Sequence, residues 1–220
     1  MINTEKKKEL SGLSLQNIYG VLNSALNRAV KLRLLSDNPC KYVDRPKRDK
    51  FIANVLTVEE FYQMLDSLDI NKYNDYIFSL ALQIVLELGL RRGELAGLEW
   101  ENVDFENNLI TIKNNLVYSH GKTYLVDPKT EESERTLYIS DNLKNLLRNH
   151  KKVQNENKLR YGPHHIKNVY NGKEYDFIMT WENGKHVHPL YYTQRFNRLL
   201  KQLNINRKIR FHDLRHTKGY

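Results

Sequence analysis

Gly89-Leu90-Arg91-Arg92-Gly93-Glu94-Leu95 is the stretch on which the reading of this chain turns. It follows an apolar-periodic run from about Asn74 to Leu88, which predicts a helix ended by Gly89. Leu95 and Leu98 then begin a new apolar stripe. By itself, Arg91 with Glu94 three residues on is an ordinary surface pair, stabilising by a few tenths of a kcal/mol. Far downstream stands His212-Asp213-Leu214-Arg215-His216, and between the two lies Pro128-Lys129-Thr130. Two arginines, a histidine and a lysine that converge would suit one phosphate, because guanidinium forks pair bidentately with phosphate oxygens and stay charged without a metal.

Working outward, Ser14 is the expected cap of a helix to about Leu35, with Leu15, Ile18, Leu22, Ala25, Leu26, Ala29 and Leu32 on one face. Asn38-Pro39 ends it. One helix cannot bury its own stripe, so residues 1–44 read as part of a helical domain. Residues 45–54, polar and proline-containing, read as a basic linker. The remainder, 55–220, opens on a capping box, Thr57-Val58-Glu59-Glu60. A helix to about Leu68 follows, then the helix to Leu88. Three short strands, at 109–113, 123–126 and 136–139, are expected to form an antiparallel meander. Asp141 starts a helix to about Asn157, the segment 159–173 reads as loop, 177–180 as a short strand, 189–203 as a helix, and Phe211 as the start of another. The class is mainly α with a small antiparallel β-sheet, an α+β arrangement.

The chain of 220 residues carries a net charge of +9 and one cysteine. A single cysteine rules out an internal disulfide and any cysteine-rich metal site, and favours a reducing cytoplasm. No run of about 18 apolar residues suggests a membrane span, and the N-terminus lacks the apolar stretch of a secretory signal. Cations cluster. From Arg195 to Lys218 eight basic residues face one acid, and Arg45, Lys47, Arg48 and Lys50 surround Asp49. Such clusters neutralise backbone phosphates and release counterions, which marks Arg45, Lys47, Arg48, Lys50, Arg195, Arg198 and Arg210 as candidate DNA contacts. His212 and His216 stand at i,i+4, a spacing that also suits zinc, but Arg215 would sit beside the metal and no third ligand offers itself. His164, His165, His186 and His188 lie in expected loops without a carboxylate at ligand spacing.

In order and flanking sequence the three motifs resemble the tyrosine recombinase (phage integrase) family over about residues 55–217. Asn38-Pro39-Cys40 likewise resembles the exit from the last helix of that family's core-binding domain. The resemblance implies a DNA breaking and rejoining enzyme acting in site-specific recombination or integration for a phage or mobile element. It implies that Arg91 and Arg215 clamp the scissile phosphate, His212 is the general acid/base, Lys129 protonates the leaving 5′ oxygen, and Glu94 orients the site. No metal or cofactor is implied. The partners implied are double-stranded DNA at attachment sites and further copies of the protein on DNA, in the cytoplasm at the nucleoid and away from membranes. The family's nucleophilic tyrosine lies some tens of residues beyond the His-x-x-Arg motif. Tyr220 is only five residues past Arg215, about a turn and a half of helix, so the nucleophile is not assigned. The chain is therefore expected to be shortened at both ends and inactive alone. The alternative is a non-catalytic DNA-binding remnant of an integrase.

Overall fold

A computed structural model describes residues 10–47, 54–126 and 134–219, with only the backbone of 216–219. The chain divides into two compact units, residues 1–52 and 53–220.

The first unit is built on α1 (Gly12–Lys31). Its cap is Ser11, whose hydroxyl accepts from the Ser14 amide at 3.2 Å, so the helix starts one turn before the expected Ser14. It also ends earlier than Leu35, because Arg33 turns into the left-handed region and the Leu34 amide reaches back to the Ala29 carbonyl. Asn38 is buried and locks the exit: its amide nitrogen donates to Asn23 Oδ1 and Asn27 Oδ1, and its oxygen accepts from the Cys40 amide. Gln16 Nε2 donates to the Pro46 carbonyl, which ties the start of the expected linker to α1. The stripe of α1 stays open to solvent, with Leu15, Ile18 and Leu22 all exposed.

The second unit begins with α2 (Val58–Asp66), closed by the expected reciprocal capping box of Thr57 and Glu60. Next comes α3 (Tyr73–Leu88), apolar on nearly every side and buried from Ile77 to Val85 but for Gln83. A helix of that composition belongs in the middle of a core. Around it lie α4 (Arg92–Ala96), α5 (Asp141–Tyr161), α6 (Pro189–Gln202) and a closing 3-10 helix (Phe211–Gly219). The sheet consists of β1 (Val103–Asp104), β2 (Leu109–Ile112) and β5 (Arg135–Tyr138), antiparallel in the order β1-β2-β5. The expected meander does not form. Instead β3 (Asn115–Ser119) and β4 (Lys122–Val126) pair only with each other, joined by a tight two-residue turn at His120-Gly121. The expected loop 159–173 contains part of a second hairpin, β6 (Asn168–Tyr170) with β7 (Lys173–Tyr175), turning at Asn171-Gly172. The expected strand at 177–180 is reduced to single bridges, Phe177 to Glu99 and Thr180 to His186.

A polar network crosses this core. His150 is fully buried; its Nε2–H donates to the Ile178 carbonyl at 2.8 Å and its Nδ1 accepts from the Tyr76 hydroxyl at 3.1 Å. Burial pushes His150 down to about 4. Between pH 6.5 and that value the unfolded chain takes up a proton that the folded chain refuses, so stability falls as pH drops through this window, by about 3 kcal/mol at most. Glu99, raised to about 7 by burial and then by Glu101, works in the opposite direction over an overlapping range. Comparison with His150→Gln separates the two. Urea midpoints at pH 7 and pH 4.5 should show the wild type losing more on acidification than the variant.

Candidate phosphate site and nucleic-acid interface

The site is assembled at the end of α3. Gly89 closes that helix with φ of 64°, a conformation costly for a residue with a side chain, and Leu90 anchors the reversal in the core. Arg91 is extended and caps α4, which puts its side chain into solvent at 61% exposure. Glu94, one turn later, is only 9% exposed in its side chain and collects donors from two directions. Its Oε2 accepts from the Arg91 amide at 2.8 Å and from Arg135 Nη2 at 2.7 Å. Its Oε1 accepts from Arg91 Nη1 at 2.9 Å and from Arg135 Nη1 at 3.2 Å. Burial opposes ionisation of this carboxyl, but the bonds from Arg135 and then from Arg91 hold it down to about 2.

Arg215 joins from the closing 3-10 helix. It is half-buried, and burial, then repulsion from Arg91 and Arg135, weakens its hold on the proton, while attraction to Glu94 opposes this. Three guanidinium charges around one carboxylate leave two positive charges in a small volume. A site so charged is complementary to a phosphodiester and still more to a phosphorane, on which negative charge accumulates. In a 3-10 helix residues three apart eclipse, so His212 and Arg215 share a face, as the expected α-helix would also have arranged. Asp213 and Leu214 between them are buried, and Asp213 is gripped by the Arg210 amide, Nε and Nη2.

A groove of about 490 Å³ is lined by Arg91, Arg92, Tyr118, Thr193, Arg210 and His212 among others. The structure thus brings Arg91, His212 and Arg210 to one surface, with Glu94 and Arg215 alongside. Arg92 Nη1 donates to Thr193 Oγ1 at 3.2 Å. His188 caps α6 through its Nδ1 and meets the Tyr118 ring edge-on at 4.5 Å. His186 is not solvent-facing as a loop histidine would be: it is half-buried, contacts the Tyr170 hydroxyl and Asn168, and is pushed down to about 4 by burial.

Other candidates lie elsewhere. Arg195 is 15% exposed, pairs with Asp75 at 2.7 Å and covers the Phe78 ring. Arg198 is exposed on α6. Arg45 and Lys47 belong to the first unit, beside Gln16 and Pro46. Lys129, Arg48, Lys50 and Tyr220 lie outside the described residues. Among the described residues no group of His, Cys, Asp and Glu is arranged to hold a metal, and no helix is long and apolar enough to cross a membrane.

Two features escaped the sequence reading. Arg135 figures in the sequence only as the start of the Arg135-Thr136-Leu137 strand that follows Lys129 in the family-like pattern, with no role of its own. Gly93 on α4 and Gly97 at its C-terminal cap let the backbone of β3 and its approach lie directly on the helix. A Cβ on Gly93 would run into the Asn115 side chain and stand 2.9 Å from the Leu116 carbonyl, and one on Gly97 would stand 3.0 Å from the Asn114 carbonyl. Gly93→Ala should therefore cost about 2 kcal/mol, through displacement of α4 from the hairpin, measured as a lowered urea midpoint.

The model of the phage integrase family matches residues 54–220. The chain is 27% identical over 225 residues to a XerC-like tyrosine recombinase of Caldanaerobacter subterraneus subsp. tengcongensis, covering 94% of this chain and 54% of that protein. It spans about half the length of the curated relatives it matches. A solved structure of the Tn1549 transposon integrase in complex with transposon right end DNA superposes with a TM-score of 0.77 at 24% identity, over 96% of this chain and 66% of that one. A lambda integrase tetramer bound to a Holliday junction gives 0.62 at 16% identity, over 94% and 53%.

Proposed function

The chain belongs to the phage integrase family, and from that premise we propose that it serves site-specific recombination of DNA for a phage or mobile element. Arg91 and Arg215 clamp the scissile phosphate. In the complete reaction a tyrosine oxygen attacks that phosphorus, forms a 3′-phosphotyrosyl ester and expels a 5′ hydroxyl, which a partner strand's 5′ hydroxyl later reverses. The chain's own contribution is electrostatic: the guanidinium forks stabilise charge on the pentacoordinate phosphorane. His212, in the groove beside Arg91, moves the proton at the attacking oxygen. Lys129 delivers one to the leaving 5′ oxygen. The nucleophile is not assigned to a residue of this chain. Arg92 and Arg210 take flanking backbone phosphates, and Arg198, Arg45, Lys47, Arg48 and Lys50 contact other phosphates of the same DNA. Arg195 we assign to the fold, since it is largely buried against Asp75, whereas Arg210 keeps most of its side chain in solvent beside Asp213.

The supporting observation is a buried carboxylate, Glu94, that gathers Arg91 and Arg135 within electrostatic reach of Arg215, beside a groove that Arg91 and His212 line. The DNA-bound relatives, one of them a tetramer, support double-stranded DNA as the partner and self-association upon it. Duplex binding followed against salt tests the first step. Four or five neutralised phosphates predict a log–log slope of about −4, and Arg91→Ala should flatten it by about 1. A salt-independent affinity would sink the reading. A covalent adduct on nicked attachment-site duplexes then separates a recombinase from a protein that only occupies DNA.

A further inference from the structure

We propose that Arg135 is a positioning residue of the phosphate site, setting the orientation of Arg91 through Glu94. The inference rests on the clamp reading above and deepens it. An arginine side chain 61% exposed has many rotamers, and a clamp that must be found among them loses much of its effect. Among the described residues the Glu94 carboxylate restrains Arg91. That carboxylate has four places at which to accept; two are taken by Arg91 and two by Arg135. The Arg135 pair forms a planar two-bonded fork, so it dictates the plane of the carboxylate and hence where the Arg91 guanidinium lies. Arg135 is itself held on β5, where it stands opposite Ile112 of β2, and its side chain is only 30% exposed. It does not line the groove that Arg91 and His212 share. Its place is behind the site, on a rigid strand, acting through a buried anion. Without it, half of a desolvated carboxylate would lack partners, and Glu94 would turn to recover them.

The test uses the full chain with inorganic phosphate as probe, and follows the Nε–H resonance of Arg91 by NMR. Arg135→Met and Arg135→Lys should each weaken phosphate binding about tenfold and broaden or shift the Arg91 signal. Lysine should not rescue, because an ammonium cannot reproduce the fork. In the double variant with Arg91→Ala the loss should not exceed that of Arg91→Ala alone. Wild-type affinity with an unchanged Arg91 signal in either variant would overturn the proposal. So would full rescue by lysine, which would reduce Arg135 to a charge, or additive losses, which would make it an independent contact. If Arg135→Met does not fold, Arg135→Lys decides alone. If the wild type binds neither phosphate nor duplex, the clamp reading fails, while the Arg91 signal still decides the role of Arg135.

Discussion

Arg91→Ala, in a cleavage-competent protein, should slow strand cleavage by about 10²–10⁴-fold while duplex affinity falls only about threefold. The asymmetry follows from where the charge is needed. In the ground state a phosphodiester carries one negative charge, and Arg91 is one of several cations around it, so its removal costs one contact among many. In the transition state charge gathers on the equatorial oxygens, and a preorganised fork counts for about 3–5 kcal/mol there. Arg215→Ala should behave alike, because Arg215 lies within electrostatic reach of Arg91, Glu94 and Arg135. Arg91→Lys should fall between wild type and Arg91→Ala, since it keeps the charge and loses the two-bonded geometry. The measurement is single-turnover cleavage of a nicked duplex beside equilibrium binding of the same duplex. Equal losses in both would remove Arg91 from the clamp.

Glu94→Gln should destabilise the second unit by about 3 kcal/mol. The carboxylate is nearly buried, and its four bonds all come from arginines or the Arg91 amide. Glutamine keeps the shape, but it removes the charge of Glu94 that opposes Arg91, Arg135 and Arg215, and its amide donors would face guanidinium donors. The sign with pH is definite. Glu94 is depressed from the ordinary glutamate value to about 2, so its contribution is present above pH 4.5 and is lost as pH falls through 2. A shift of that size corresponds to about 3 kcal/mol. Urea denaturation at pH 7 and pH 2.5 should find the wild type converging on the variant in acid. A constant gap between them would show that Glu94 acts by packing and not by charge.

Glu94 also shows how differently the two levels of description see one residue. In sequence it is an acid three residues after an arginine, a pairing that thousands of exposed helices carry, and only resemblance singled it out. In space it is the common partner of two arginines that lie 44 residues apart.

Short-range signals were legible wherever local chemistry sets the backbone. The Thr57–Glu60 capping box, the end of α3 at Gly89 and the start of α6 at Pro189 all follow from side chains within one turn of the bond they satisfy. The hairpin at Asn171-Gly172 was equally local, since that pair favours a tight turn, but its strands are three residues each and too short to register as a pattern. The same composition and order of motifs carried the fold class and the integrase resemblance without any coordinates.

Tertiary structure alone decided what depends on distant segments meeting. The sequence offered three strands in succession; which strands pair was settled by packing, with β5 returning to β2 and the β3–β4 hairpin laid over Gly93 and Gly97. Arg195 reads as one more cation in a basic run, and becomes an internal partner of Asp75 because α6 and α3 pack together. Arg135 becomes part of the site for the same reason. The sequence by itself determined the helices, the charge and the chemical inventory, since those depend on neighbours along the chain. Which arginines face a phosphate and which brace the fold is set by burial and by long-range ion pairs, quantities that exist only once the chain has closed on itself.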